Sequence, residues 1–287
     1  MNYTITSHLI SSFRQHLLEA EKAPATIEKY IRDVTAFSKF TGNAEVTKET
    51  LIAYKEMLLK KYKPASINSM LAALNHFFAY CGWELHIKAL KVQRSMFLDE
   101  AKELTKDEYF RLLDAAKRQK KEQLWLLIQT LCATGIRVSE LQFITVEAAK
   151  QGSTTIQCKG KNRTILLPGS LQKELLRYAK ARKIKTGSIF LTRTGRMMNR
   201  SNIWRALKAL CKMAGVLTSK VFPHNLRHLF ATAFYEAAKD ISRLADVLGH
   251  SSINTTRIYI TTSGCLHRQI MDGLGLVQRT SPQPITT

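Results

Sequence analysis

The chain has 287 residues, with 44 Lys or Arg against 22 Asp or Glu, a formal net charge of +22. Hydrophobic residues make up 45% and charged residues 23%, the balance of a folded globular protein and not of a disordered tail. Such an excess of positive charge points to a polyanionic partner, with nucleic acid first. A membrane surface is the rival, but there is no long uncharged apolar run. The opening Met1-Asn2-Tyr3-Thr4-Ile5 also lacks the charged-then-apolar order of a signal peptide. The expected setting is cytosolic. Cys81, Cys132, Cys158, Cys211 and Cys265 are scattered, odd in number and never paired as C-x-x-C, so they read as small apolar residues in a reducing compartment.

At roughly 100–200 residues per domain the length implies two domains. Ile10, Phe13, Leu17 and Leu18 recur at helical spacing. Pro24-Ala25-Thr26 opens a second helix, with Ile27, Tyr30, Ile31, Val34, Phe37 and Phe40, stopped by Thr41-Gly42-Asn43. Thr47-Lys48-Glu49 opens a third and Pro64-Ala65-Ser66 a fourth, ending near Gly82. These make a four-helix domain over residues 1–85. Residues 86–103, with Lys88, Lys91, Arg94 and Lys102 and no sustained apolar period, read as a basic interdomain linker. Thr105 and Glu108 match a capping box, and an apolar helix runs from Glu122 to Thr134. Thr154–Lys159 and Arg163–Pro168 are β-prone around a turn at Gly160-Lys161-Asn162, a hairpin signature. Helices resume at Leu171–Lys183, Asn202–Ala214, Leu226–Lys239, Ile241–Leu248 and Ile253–Ile260. The second domain spans 104–280, and the tail 281–287, with Pro282 and Pro284, reads as disordered. The expected class is mainly α, with α+β character in the second domain.

Four segments carry chemistry: Ala133-Thr-Gly-Ile-Arg-Val-Ser-Glu-Leu141, the hairpin with Lys159, His224-Asn-Leu-Arg-His-Leu-Phe-Ala-Thr232, and Leu248-Gly-His-Ser-Ser-Ile-Asn-Thr-Thr-Arg-Ile-Tyr259. Arg137 follows a Thr-Gly turn at a helix start, where side chain and helix N-terminus can both face an anion. Arg227 lies three residues after His224, on the same helical face. Two guanidinium groups can orient one phosphodiester bidentately. His224 and His250 add hydrogen bonds and proton transfer. Tyr259 supplies a hydroxyl that can attack phosphorus, and Lys159 at a hairpin tip can protonate a leaving oxygen. This chemistry requires no metal. Each piece alone has a bland reading: a capped surface helix, a solvated His/Arg face, a half-buried tyrosine such as Tyr30, Tyr54, Tyr178 or Tyr235. Their joint order is what points to a site.

Arg, Lys, His-x-x-Arg, His and Tyr in this order resemble the tyrosine recombinase (phage integrase) family over nearly the whole chain, in a compact Xer-like form. The resemblance implies a SAM-like four-helix core-binding domain and a catalytic domain that together clamp DNA. By it, Tyr259 attacks the scissile phosphate to form a 3′-phosphotyrosyl link and release a 5′-hydroxyl. Arg137 and Arg227 stabilise the pentavalent transition state, and Lys159 is the general acid. His224 accepts the tyrosine proton or bonds the phosphate, His250 holds a phosphate oxygen, and Glu140 orients the surroundings of Arg137. Lys161, on the same turn, is the alternative acid. No cofactor, metal or ATP is implied. The partners are double-stranded DNA sites, two per homo-tetramer or Xer-like hetero-tetramer. Xer-like members continue after the nucleophile with Thr-His, whereas Ile260-Thr261 follow Tyr259 here. A catalytically silent DNA-binding protein of the same fold and a type IB topoisomerase are the alternatives. In the first domain Lys29, Arg32, Lys39, Lys55, Lys60, Lys61 and Lys63 are candidate phosphate contacts, and Ser66, Asn68 and Asn75 candidate groove-facing residues.

Overall fold

The computed structural model describes residues 3–42, 44–92, 100–158, 161–250, 252–259 and 273–274. The chain divides into two units, Met1–Arg94 and Ser95–Thr287. Lys159, linker residues 93–99 and the tail 281–287 lie outside the described residues.

The first unit is built from α1 (Ser7–Glu19), α2 (Pro24–Thr41), α3 (Lys48–Leu59) and α4 (Pro64–Tyr80). Prolines open α2 and α4, where a missing N–H costs nothing, and Thr47 caps α3 through the Thr50 N–H. The helical apolar stripes meet in a core of Phe13, Leu17, Val34, Phe37, Leu51, Leu58, Leu71, Leu74 and Phe77. Trp83 closes it, stacked on Phe78 and Tyr3.

The expected boundary at residue 85 falls inside this unit. Ile87 is buried in its core and Leu90 packs against it. Asn75 donates to the Ile87 carbonyl and accepts from the Ile87 N–H, both at 2.9 Å. Asn68 does the same for Leu90, at 2.9 and 2.7 Å. Each carboxamide offers one donor and one acceptor, as a neighbouring strand would. Lys55 Nζ adds a bond to the Lys88 carbonyl at 2.6 Å, and Lys48 one to the His86 carbonyl. Asn68 and Asn75, expected to face a DNA groove, therefore hold the extended segment down. Lys29 and Arg32 are likewise engaged, with the buried Asp33.

In the second unit α5 (Lys106–Arg118), with the Thr105/Glu108 capping box in place, packs on α9 (Arg200–Ala214). The central α6 (Glu122–Thr134) packs on α8 (Gly169–Ala181) and α10 (Pro223–Ala238). Between α6 and α8 lie a 3-10 helix, Val138–Phe143, then α7 (Val146–Gln151) and an antiparallel hairpin of β1 (Ser153–Cys158) and β2 (Lys161–Leu166). The strand register pairs Cys158 with Lys161 and Gln157 with Asn162. The expected turn residues 161 and 162 are thus part of β2, and only 159–160 connect the strands. After α10 come α11 (Ile241–Leu248), α12 (Ile253–Thr256) and a 3-10 turn, Arg257–Tyr259. No helix among the described residues is long and apolar enough to cross a membrane.

Candidate active site

The site is assembled around two helix C-termini. Both α6 and α11 end on a glycine in the left-handed region, Gly135 (φ +60°) and Gly249 (φ +64°). Such ends leave carbonyls without intrahelical partners at the negative pole of the helix. Arg227, on the first turns of α10 and 3% exposed, fills that need. Its Nη1 donates to the Gly135 carbonyl, and its Nη2 to the Leu248 carbonyl at 2.8 Å. The same Nη2 meets His250 Nε2 at 2.9 Å. Burial pulls this guanidinium below its ordinary range, while the neighbouring Tyr259 side chain acts to sustain its charge.

Because an arginine only donates, His250 Nε2 accepts, so the ring proton sits on Nδ1 and is given to Thr256 Oγ1 at 2.9 Å. Desolvation, then the charges of Arg227, Arg137 and Arg163, push the His250 pKa down to about 4. His224 is shifted the same way, by desolvation first and then by His228 and Arg227. Both imidazoles are neutral at pH 7.

Arg137 is the cap of the 3-10 helix and stands in the open, its side chain 42% exposed. The anion at this N-terminus is internal. Glu140, buried, accepts from the Arg137 N–H at 2.8 Å and from Arg137 Nη1 at 2.9 Å. Burial opposes ionisation of Glu140, but the Arg137 N–H and the charges of Arg163 and Arg137 outweigh it and hold the carboxyl below the usual range. Arg137, His224 and Arg227 line one cleft of about 750 Å³, together with Arg200, Met197 and Trp204.

The Tyr259 ring is 3% exposed and packs with Ala231, Leu244 and Leu248. Three imidazoles surround it. His250 is stacked at 5.8 Å between centroids (11° between planes), His228 is edge-on at 5.0 Å and His224 edge-on at 6.2 Å. His228 Nδ1 is in turn 2.8 Å from Glu103 Oε2.

Every expected site residue except Lys159, which lies outside the described residues, is thus brought to one region of the second unit. No role for Glu103, Thr256 or Arg163 follows from the sequence motifs, although Thr256 and Arg163 lie within the segments that carry them. Arg163 carries a signal all the same: along β2 it alternates in phase with the buried Ile165 and Leu167 while Thr164 and Leu166 face out. A charge on the apolar face of a strand must have a buried partner.

The second unit thus gathers the buried Arg227, the more open Arg137, the His224 and His250 imidazoles and the Tyr259 ring in one region. The phage integrase family matches residues 102–264, and the N-terminal SAM-like domain of phage integrases matches residues 10–84. The chain belongs to the phage integrase family. It is 29% identical to tyrosine recombinase XerA of Pyrococcus furiosus over 266 residues, 89% of this chain and 90% of the relative. Among solved structures it is similar to a XerA recombinase (26% identity, TM-score 0.52, covering 96% of this chain and 100% of that one). It shares its fold with a lambda integrase tetramer bound to a Holliday junction (19% identity, TM-score 0.72, 89% and 77% covered). Phage integrase membership makes the chain a tyrosine recombinase, an enzyme that breaks and rejoins DNA.

Proposed function

We propose that this tyrosine recombinase cuts and rejoins specific DNA sites with Tyr259 as nucleophile and Arg137, Arg227, His224, His250 and Lys159 as its catalytic set. The observation that carries the reading is the packing of Tyr259 against His224 and His250, with His250 bonded to Arg227. Tyr259 Oη forms a bond to phosphorus as its proton passes to His224, and the bond from phosphorus to the 5′ oxygen breaks. Lys159 protonates that oxygen, leaving a 3′-phosphotyrosyl link and a 5′-hydroxyl. Arg137 and Arg227 hold the non-bridging oxygens, where charge develops in the transition state. One phosphoester replaces another, so the reverse attack by a partner strand's hydroxyl requires no ATP.

The working unit is a tetramer on two duplex sites, acting in the cytosol through a core-binding and a catalytic domain. The similarity to a lambda integrase tetramer on a Holliday junction supports this assembly. The test is a nicked suicide duplex incubated with the full chain in EDTA. A denaturant-resistant protein–DNA adduct is expected, absent in Tyr259→Phe. An adduct formed by Tyr259→Phe would remove Tyr259 from the reaction, and sequencing wild-type adduct ends would identify the target.

A further inference from the structure

Arg163 has no place in the chemistry above, yet it touches both halves of the site. It projects from β2, is 8% exposed, and donates in two directions. Nη1 meets Glu140 Oε2 at 2.5 Å, and Nη2 meets the Val247 carbonyl at 2.9 Å. Glu140 is the carboxylate that holds Arg137 through both its N–H and its guanidinium. Val247 is in the last turn of α11, directly before the Leu248 carbonyl that binds Arg227 and the Gly249 turn that leads to His250. The fit at that turn is close: a Cβ on Gly249 would lie 2.3 Å from Arg163 Cδ.

A buried guanidinium is a costly way to fill a strand position, since desolvating an ion pair generally cancels what the pair gains. Here the cost is compounded, because Arg163 Nε is buried with no partner. An apolar side chain in phase with Ile165 would pack there without either penalty. What only the planar fork can do is hold a carboxylate on one edge and a carbonyl on another at once.

We propose that Arg163 is a positioning residue that sets the Arg137–Glu140 pair and the Val247–His250 turn against each other, so that both phosphate-binding groups are aimed before DNA arrives. The proposal rests on the recombinase reading of the site. It assigns Arg163 to the stabilisation of charge on phosphorus and not to protonation of the leaving oxygen, although its strand belongs to the hairpin that carries Lys159. That separation makes it testable, because a sulfur leaving group departs without a general acid.

The experiment uses the full chain and a nicked duplex carrying the sequence recovered from wild-type adduct ends. It is made once with oxygen and once with sulfur at the scissile 5′ position, at saturating DNA and well below the unfolding temperature of each variant. Arg163→Met keeps the stem and removes the fork. It is expected to hold DNA within about threefold of wild type and to form adduct at least a hundredfold more slowly on both duplexes. Arg163→Lys keeps the buried charge but spans only one partner, and should slow both reactions about tenfold. Wild-type rates in either folded variant would overturn the proposal. So would a defect confined to the oxygen duplex, which would make Arg163 a support for the leaving-group acid. If Arg163→Met does not fold, the folded Arg163→Lys protein decides by the same two outcomes. A wild-type chain that forms no adduct on either duplex would instead overturn the functional reading.

Discussion

Arg227 Nη2 and His250 Nε2 are joined at 2.9 Å, so the buried arginine and the imidazole face each other as donor and acceptor. The His250 pKa is about 4, depressed by desolvation and then by the arginines around it. Its ordinary value near 6.5 applies to the unfolded chain. As pH falls from 6.5 towards 4 the unfolded state takes up the proton first, so the stability present above pH 6.5 is progressively lost. His224 adds in the same direction. Thermal unfolding from pH 7 to 4 should show a falling Tm, with a shallower fall in His250→Asn. A DNA phosphate would offset the cationic field, so the His250 ring signal, followed by NMR, should titrate at higher pH in the complex than in the free chain. An unchanged midpoint would mean that the phosphate does not approach this ring.

Arg137 and Arg227 should respond differently to lysine. Arg137 is partly open, bonded on one edge to Glu140, and in the proposed reaction its charge serves the phosphate. Arg137→Lys is expected to keep stability within about 0.5 kcal/mol of wild type while abolishing adduct formation, because an ammonium cannot replace the fork. Arg227 satisfies the Gly135 and Leu248 carbonyls as well as His250. Arg227→Lys should therefore lose both activity and roughly 1–3 kcal/mol of stability from the unsatisfied buried carbonyls. Paired unfolding and suicide-substrate assays distinguish the two residues.

The helices are legible in the sequence because their signals are local. Apolar residues at steps of three and four, prolines at Pro24 and Pro64 and the Thr105/Glu108 box locate elements without reference to the rest of the chain. The sequence motifs likewise name the groups that meet at Tyr259. What they cannot name are partners fixed by tertiary geometry. Glu103 reaches His228 across 125 residues of sequence and Arg163 reaches Val247 across 84. The segment 86–92 reads as linker for a related reason. An extended segment held by two asparagines, with only Ile87 of it buried, has no periodicity, and its ladder comes from side chains of α4, not from a second strand.

That strap makes its own prediction. Asn75 satisfies both backbone groups of Ile87, next to a buried side chain. Asn75→Ala should cost about 1–3 kcal/mol and release residues 86–92 from the first unit. Limited proteolysis should then cut near Lys88 and Lys91 in the variant and not in wild type. Asn75→Asp keeps the acceptor for the Ile87 N–H but sets a carboxylate against its carbonyl, and should be nearly as susceptible. Equal resistance in all three proteins would show that the hydrogen bonds do not hold the segment.

Gly249 offers a way to separate backbone strain from a steric requirement at the site. Gly195 and Gly249 both have positive φ, +75° and +64°, so alanine at either carries the left-handed penalty of roughly 1 kcal/mol. A Cβ on Gly195 meets nothing within 4 Å, whereas on Gly249 it would meet the Arg163 stem at 2.3 Å. Gly195→Ala should accordingly lower Tm slightly and leave adduct formation intact. Gly249→Ala must push Arg163 away from Glu140 and the Val247 carbonyl, or move the turn that presents His250. It is expected to cost more stability than Gly195→Ala and to depress the cleavage rate at saturating DNA. Measured side by side, equal losses of stability with normal cleavage in both would show that the turn yields to a methyl group without disturbing the catalytic groups.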